Sequence, residues 1–504
     1  MAATTHTETE RKYDLAPETQ VPVLDGLPGV VAASDGPTER LDAVYFDTED
    51  LRLARSGLTL RRRTGGPDAG WHLKAPAGAD TREETRLPLG ERDDEPPAEL
   101  VDLVTAYTRG ARLVPVATLT TQRDRRLLLG PDGVLAEVTD DRVTACPAGR
   151  TASAGSWREL EIELAGAAGP ALLEAAERRL DAAGIRRSAS GSKLHRVLDL
   201  APVPAGPAGT AGEVVRAYLR AQAETIARCD LLARKGTADA VHRLRVATRR
   251  MRSALRVFGR IVDRERTRGI EAELRWVARR LGPARDVEVR YERFQDAARA
   301  LPAELLIGPV TGRLTRHFGP AEAAGRSTVL RTLRGRRYLR LLEAIEGMVT
   351  DPPFTPAATR PARTELPRHI RRAYRKVARR ARKVRSMPAG PERDRATHDL
   401  RKAAKRFRYG VEAVAPVIGK PARRTRKRAK GLTRVLGEFQ DSVVARPVLR
   451  DLGMQAHLSG ENGFSFGMLY GREERAAERA YRDLWPAWRR AAKKKRRAWF
   501  RRSG

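Results

Sequence analysis

The sequence predicts a multidomain α+β protein, and three observations carry that expectation. Through residues 1–200, short apolar segments alternate with charged residues at period two, separated by turns rich in Gly, Pro and Asp. From Ala211 the period becomes helical, in long Arg/Ala/Leu-rich segments. Within that second part, one cationic helix pattern returns after 156 residues, which indicates an internal duplication.

The 504 residues carry a net charge of +35, but unevenly. Residues 1–200 hold 26 Lys and Arg against 33 Asp and Glu, a net of −7, which leaves +42 for the remainder. A balance of that size calls for an anionic partner: inorganic polyphosphate, nucleic acid or a membrane surface. Two cysteines, Cys146 and Cys229, exclude a disulfide framework, and no Cys/His spacing suggests zinc. The N-terminal residues lack the basic-then-apolar order of a signal peptide, and no apolar run reaches about 18 residues. The expectation is a cytoplasmic protein without a membrane span.

In the front part, Glu8, Glu10 and Lys12 project to one face of a strand. Thr59, Arg61 and Arg63 share a face opposite Leu58 and Leu60, and Lys74 opposes Trp71 and Leu73. Arg82, Glu84 and Arg86 share a parity, as do Arg123 and Arg125, while Glu137 opposes Ala136 and Val138. In the segment 158–164, Glu159, Glu161 and Glu163 oppose Leu160, Ile162 and Leu164. A half-exposed sheet would alternate too, but would not put Glu, Arg or Lys on nearly every polar face. A closed sheet with its apolar side against helices and its charged side inward accounts for all of them. Confined charges need pairing or a ligand: acidic clusters suit a divalent cation, and Arg and Lys suit phosphate oxygens. A helix is expected over Pro170–Ala183, then Gly184 and a return to strand near Lys193.

These residues resemble the CYTH domain of the triphosphate tunnel metalloenzymes. The likeness begins with the ExExK signature at Glu8, Glu10 and Lys12. It continues through Tyr45-Phe46-Asp47-Thr48, Leu60-Arg61-Arg62-Arg63, Trp71-His72-Leu73-Lys74, Arg123, Glu159-Leu160-Glu161 and Ser192-Lys193. The resemblance implies an eight-stranded antiparallel tunnel with flanking helices over residues 1–200, binding a triphosphate and Mg²⁺ or Mn²⁺. It implies that Glu8 and Glu10, with one or more of Glu159, Glu161 and Glu163, hold the metal. Lys12, Arg61, Arg63, Lys74, Arg123 and Lys193 would grip phosphate. Glu137, where the family usually has Asp, would partner metal or water. The chemistry agrees with charge: hydrolysis brings a nucleophile toward an already anionic phosphorus, so fixed cations and a metal must neutralise its oxygens. Hydrolysis of inorganic triphosphate is expected, ahead of cyclisation, because nothing separate reads a nucleobase.

Residues 201–210 have the Pro/Gly/Ala composition of a linker, and a helical domain is expected over 211–500, with repeat halves at about 211–350 and 362–500. In Val241–Phe258, His242, Arg245, Arg249, Arg252 and Arg256 form one stripe and Leu244, Ala247, Met251, Leu255 and Phe258 another. His398, Arg401, Lys405, Arg406 and Arg408 repeat His242, Arg245, Arg249, Arg250 and Arg252, over the apolar Leu400, Ala403, Phe407, Val411 and Val414. Leu281-Gly282-Pro283-Ala284-Arg285-Asp286 recurs as Leu436-Gly437-Glu438-Phe439-Gln440-Asp441. Solvation would require neither one sign of charge nor a repeated spacing, so the repeated face is read as a polyanion site. The histidines are read as phosphate donors over structural or metal-bound groups, and Asp286 and Asp441 as orienting arginines or capping helices. The tail at 491–502 reads either as a free basic arm or as the end of the last helix.

The duplicated helices and Leu-Gly-x-x-x-Asp segments resemble a CHAD domain, an all-helical domain with conserved histidines. That resemblance implies two pseudo-symmetric helical bundles with a basic groove for inorganic polyphosphate, formed by His242, Arg245, Arg249, Arg250, Arg252, His398, Arg401, Lys405, Arg406 and Arg408. Association with polyphosphate granules follows as an expectation. The alternatives are a non-catalytic polyphosphate scaffold and, third, a nucleic-acid binder, which an aromatic fraction of 5% disfavours. The absence of a P-loop, an HExxH helix and a GxSxG elbow removes common hydrolase classes.

Overall fold

The computed structural model describes residues 4–90, 94–148, 155–166, 168–198, 200 and 209–501. The chain divides into two compact units, Met1–Pro204 and Ala205–Gly504. The 201–210 linker expectation falls largely outside the described residues; Gly209 and Thr210 lie within them.

The first unit contains strands β1 (Thr4–Leu15), β2 (Ala32–Asp35), β3 (Glu39–Asp47), β4 (Thr59–Thr64), β5 (Gly70–Pro76) and β6 (Thr81–Leu87), followed by β7 (Val114–Gly130), β8 (Gly133–Pro147), β9 (Gly155–Leu164) and β10 (Arg186–Arg187). Helices α1 (Arg52–Arg55), α2 (Ala98–Thr108), α3 (Pro170–Ala182) and α4 (Lys193–Val197) intervene. Eight of the strands close into an antiparallel barrel in the order β1-β6-β5-β4-β3-β7-β8-β9, with β9 returning to β1. Strand β1 makes this closure by changing neighbours midway: Thr4–Thr9 pair with β6, and Glu10–Leu15 pair with β9. β2 and β10 add to the outside of the ring, on β7 and β1.

The pleat sorts the side chains. Tyr13, Leu128, Val138, Leu160 and Ile162 face outward and pack with Leu172, Leu173, Ala176 and Leu180 of α3. A second outer cluster joins Ala43, Leu119, Val143 and Ala145 to Ala54 and Leu194. Burying the barrel's outer face under helices leaves its charged face no direction but inward. One local expectation is corrected: the chain does not return to strand at Lys193. Ser192 accepts a hydrogen bond from the His195 backbone N–H at 3.2 Å, and this N-cap starts α4 with Lys193 as its first residue.

The second unit is built from α5 (Ala211–Arg234), α6 (Ala240–Val257), α7 (Arg264–Arg280), α8 (Gly282–Arg299), α9 (Val310–Arg334) and α10 (Arg336–Thr350), then α11 (Ala362–Arg385), α12 (Pro391–Ile418), α13 (Lys420–Leu458), α14 (Phe464–Ala492) and α15 (Lys494–Arg501). Thr210 and Glu213 form a capping box at the start of α5, and Thr210 bridges Pro361 just before α11. The 351–361 segment thus joins α10 to α11.

The duplication is visible in the helices. At the sequence offset, α5 corresponds to α11, α6 to α12, and α7 with α8 to the single 39-residue α13. The break between α7 and α8 falls where Pro283 replaces the counterpart of Glu438; proline has no N–H and its ring collides with the carbonyl one turn back. Gly419, at φ 76°, reverses the chain between α12 and α13 in a conformation that a Cβ would strain. The apolar stripes of α6 and α12 are buried throughout, Leu244 to Phe258 and Leu400 to Val414. Phe294, Leu314 and Phe318 from α8 and α9 pack with Leu449, Leu452 and Phe466 from α13 and α14. The tail is no free arm: Phe500 of α15 is fully buried against Tyr374 and Phe407, and Trp499 Nε1 donates to Thr425 Oγ1 at 3.1 Å.

Candidate functional site

The barrel encloses a cavity of about 400 Å³. Its lining brings together Glu8, Glu10, Lys12, Arg61, Arg63, Lys74, Arg123, Glu137, Glu161, Glu163 and Lys193, from six strands and the start of α4. Glu159 does not line it. That carboxylate is buried, accepting from Trp157 Nε1 at 2.5 Å and lying 2.8 Å from Lys193 Nζ.

Register explains the arrangement. Glu10 of β1, Glu163 of β9 and Glu137 of β8 are lateral neighbours in one row, and Lys12, Glu161 and Thr139 form the next. The three lysines are held by carboxylates. Lys74 Nζ lies 2.5 Å from Glu8 Oε2; Lys12 contacts Glu161 and lies 3.2 Å from Glu10. Lys193 Nζ sits among Asp141 (2.8 Å), Glu159 (2.8 Å) and Glu161 (2.6 Å). Burial works against the charge of Lys193, yet Asp141 and its two companions hold its pKa well above the ordinary value. Burial likewise opposes ionised Glu161, but Lys12 and Lys193 keep its carboxyl well below the ordinary range.

The arginines are less evenly compensated. Arg123 makes a two-pronged pair with Asp141 at 2.8 and 2.6 Å, and Arg125 pairs with Glu137 at 2.6 Å. Arg61 donates to Tyr45 Oη at 3.2 Å. Arg63, at one mouth of the cavity, contacts Asp68 of the β4–β5 hairpin. Burial, with Arg61 and Arg123 close by, pushes Arg63 down to about 9. Glu163 moves the other way: burial, reinforced by Glu8, Glu10 and Glu161, pushes its carboxyl up to about 7.

Among the described residues, two groups have donors close enough together for a cation: His6, Glu8 and Glu84, and Asp141, Glu159 and Glu161. Expected ligands Glu8 and Glu159 thus fall in different groups. His6 and Asp141 were missing from the sequence reading, while Glu84 stood on an inward face and His72 within a motif, both without an assigned role. His6 is two residues before Glu8, and Asp141 four after Glu137, so the alternation alone would have carried the reading to both. His72, 3.0 Å from Glu84, is pushed down to about 4 chiefly by burial.

In the helical unit, α12 and α13 run antiparallel, because Arg401 meets Asp441 (3.5 Å) and Arg408 meets Thr433 (3.2 Å). The first half repeats this: Arg245 reaches Asp286 at 3.2 Å and the Gly282 carbonyl at 3.1 Å. Each guanidinium lies over the backbone of its helix: a Cβ built at Gly282 or Gly437 would stand in ordinary contact with it, at 3.6 and 3.4 Å. Asp286 and Asp441 therefore orient arginines. His398 Nδ1 lies 2.7 Å from Gln440 Oε1, whereas His242 faces Arg285 at the equivalent position.

Helices α6 and α12 pack together, and Arg249 Nε donates to Tyr409 Oη at 3.2 Å across them. Arg249, Arg401 and Arg408 surround Lys405; burial and that like charge lower its pKa to about 7. Arg252, beside Arg256, Arg275, Arg249 and Arg406, is lowered to about 10, again with burial as the leading cause. Arg406 is lowered too, by burial and then by Arg256. Arg250 stands apart, paired with Glu412 at 3.0 Å. Lys405, Arg252 and Arg406 thus belong to a cationic surface whose like charges, with burial, lower them.

A family profile for the CYTH domain matches residues 6–198, and one for the CHAD domain matches residues 217–450. Two Mycobacterium tuberculosis proteins, Uncharacterized protein MT2285 (strain CDC 1551 / Oshkosh) and Uncharacterized protein Rv2226 (strain ATCC 25618 / H37Rv), are each 39% identical over 509 residues, covering 98% of both chains. Among solved structures, PptA from Streptomyces chartreusis is similar over 56% of this chain and 99% of its own (21% identity, TM-score 0.47). The CHAD domain from the plant Ricinus communis is similar over 58% and 96% respectively (21% identity, TM-score 0.44). The closed barrel with its charged interior, the duplicated helical unit and the two profile matches together establish that this chain belongs to the family in which a CYTH domain is fused to a CHAD domain.

Proposed function

We propose that the N-terminal cavity hydrolyses inorganic triphosphate to pyrophosphate and phosphate with Mg²⁺ or Mn²⁺, and that the helical unit binds inorganic polyphosphate. The observation that carries the first half is the pairing of Lys12, Lys74 and Lys193 with carboxylates inside a closed barrel. Simple anion binding would gain nothing from Glu8, Glu10, Glu161 and Asp141, which repel phosphate. The same carboxylates suit a hard divalent cation. Asp141, Glu159 and Glu161 already surround one positive charge, the Lys193 ammonium.

In this reading Asp141, Glu159 and Glu161 would hold a divalent ion, and Glu8, with Glu10 on the same face of β1, would serve a second position. When bound, it supplies charge neutralisation at the phosphate oxygens and makes a bound water more acidic. The chain's own part is binding and orientation. Entry of a triphosphate draws Lys12, Lys74 and Lys193 from carboxylate to phosphate oxygens, joined by Arg61, Arg63 and Arg123. Glu163, pushed up to about 7, is able to take a proton near neutral pH, and Glu137 is held by Arg125 in the same row.

In the helical unit, the lowering of Lys405, Arg252 and Arg406 by burial and like-charge repulsion supports a polyanion site, since a bound phosphate chain relieves that repulsion. The test is phosphate release from triphosphate with Mg²⁺ or Mn²⁺, beside titration of the protein with polyphosphate. Release no greater than that of the Glu8→Ala/Glu10→Ala variant rejects the enzyme; affinity no higher for polyphosphate than for duplex DNA or RNA at fixed salt rejects the selectivity.

A further inference from the structure

The first part of α13 carries charge of one sign only. No acidic residue occurs between Lys420 and Gly437. Arg423, Lys427, Lys430 and Arg434 are all exposed and follow one another at i, i+4, i+7 and i+11, one file about 16 Å long at 1.5 Å per residue. Among the described residues, none of the four forms a salt bridge with a carboxylate. Like charges spaced i,i+4 oppose helix formation, and the fold accepts that twice here.

The file is continuous with the cationic surface of α6 and α12. Asp441, which Arg401 approaches at 3.5 Å, lies seven residues beyond Arg434 in the same helical stripe. Arg408 reaches Thr433, next to Arg434, and Thr433 Oγ1 donates to the Lys430 carbonyl. A row of cations thus runs along α12 through Arg401, Lys405 and Arg408 and continues on α13. The opposite flank of α13 is covered: Thr425 bonds Trp499 Nε1 and the Arg496 carbonyl of α15. Docking α15 there adds the exposed Lys494 and Lys495 to a helix already positive, and leaves the file itself open. A solvated surface needs neither continuity with a binding surface nor this concentration of one sign.

We propose that Arg423, Lys427, Lys430 and Arg434 form a track for the part of a polyphosphate chain that overruns the α6–α12 surface, so that the protein favours long chains over short ones. The inference rests on the polyphosphate reading above. Polyphosphate is favoured over duplex nucleic acid because the file lies along one helix, where one flexible phosphate chain can follow it, whereas a duplex offers two backbones across a groove.

The test uses the full chain and its R423S/K427S/K430S/R434S variant, titrated with polyphosphates of about 10 and about 100 phosphates over a range of salt. The expected result is at least about a tenfold loss of affinity for the long polymer, with the slope of log affinity against log salt smaller by about three, and short-polymer binding within about twofold of the parent. The R423K/R434K variant, which keeps the charge, should bind long polymer as the parent does. Equal losses for both lengths, or none for either, overturn the track. A loss confined to duplex DNA, run as a parallel arm, overturns it in favour of a nucleic-acid surface. A parent protein that binds neither polymer defeats the polyphosphate reading itself, a result distinct from a variant that behaves like its parent.

Discussion

Glu10 lies directly across from Glu163 at the seam where β1 meets β9 and the barrel closes. Glu137 extends the row onto β8. Three carboxyls thus adjoin on three neighbouring strands; Glu137 has Arg125 at 2.6 Å and Glu10 has Lys12 at 3.2 Å and Arg82 at 3.7 Å, whereas among the described residues Glu163 forms no salt bridge. Ionising all of them in a confined space is costly, and Glu163 carries the cost.

Glu163 therefore couples stability to pH. Its carboxyl binds a proton up to about 7 when folded, against an ordinary value of 4.5. The folded state holds the extra proton between those values, so stability is highest below about 4.5 and falls as pH rises toward 7. Glu163→Gln removes this term. In chelator, calorimetry should show the variant's barrel melting above the parent's at pH 8, by at most about 3 kcal/mol, with the gap closing below pH 4.5. A gap independent of pH would contradict the arrangement.

Lys405 has the opposite sign. Folded it titrates at about 7, and its ordinary value is 10.5, so the unfolded chain binds the proton more tightly in between. Stability rises with pH across that window and is lowest below 7. A bound polyanion favours the charged ammonium, so binding at pH 8 should take up a proton, and affinity should fall by up to about tenfold per pH unit above 7. Titration calorimetry in two buffers of different ionisation enthalpy measures the uptake. Lys405→Arg should bind without it.

Lys193→Met strips the ammonium from Asp141, Glu159 and Glu161. Unpaired buried charges of this kind typically cost about 3–5 kcal/mol. Triphosphatase activity should be lost, and added Mg²⁺ or Mn²⁺ should raise the variant's melting temperature more than the parent's, because the ion then replaces the missing charge. Equal shifts in both proteins would count against a cation site at these carboxylates.

Phe500 anchors the basic tail in the helical unit. Phe500→Ala should destabilise that unit by about 3–5 kcal/mol and expose α15 to proteolysis while the barrel's melting transition stays in place. Limited digestion followed by mass spectrometry reads both effects.

Much of the site was legible beforehand, because a strand's alternation is strict. Once Glu8, Glu10 and Lys12 share a parity with an inward face, Arg61, Lys74, Arg123 and Glu161 follow by the same rule, and all of them line the cavity. The helical stripes were legible for a similar reason: a period of 3.6 puts Leu244 through Phe258 on one buried side. The extent of the inward face was less plain, since single residues such as His6 and Asp141 carry no run of their own.

The one-dimensional chain determined which residues face inward, which face outward, and that the basic half was copied. Only the tertiary structure decided the partners. The sequence puts Glu159, Glu161 and Glu163 on one face with equal claims, yet register sets Glu163 beside Glu10, Glu161 beside Lys12, and Glu159 beside Asp141, where it is buried against Lys193 and does not line the cavity. Likewise Arg250 and Arg406 are equivalent by repeat, but Arg250 pairs with Glu412 and Arg406 is left among arginines. Periodicity is a local property of the backbone, while charge pairing depends on what distant strands and helices bring within a few ångströms, and burial magnifies each such meeting.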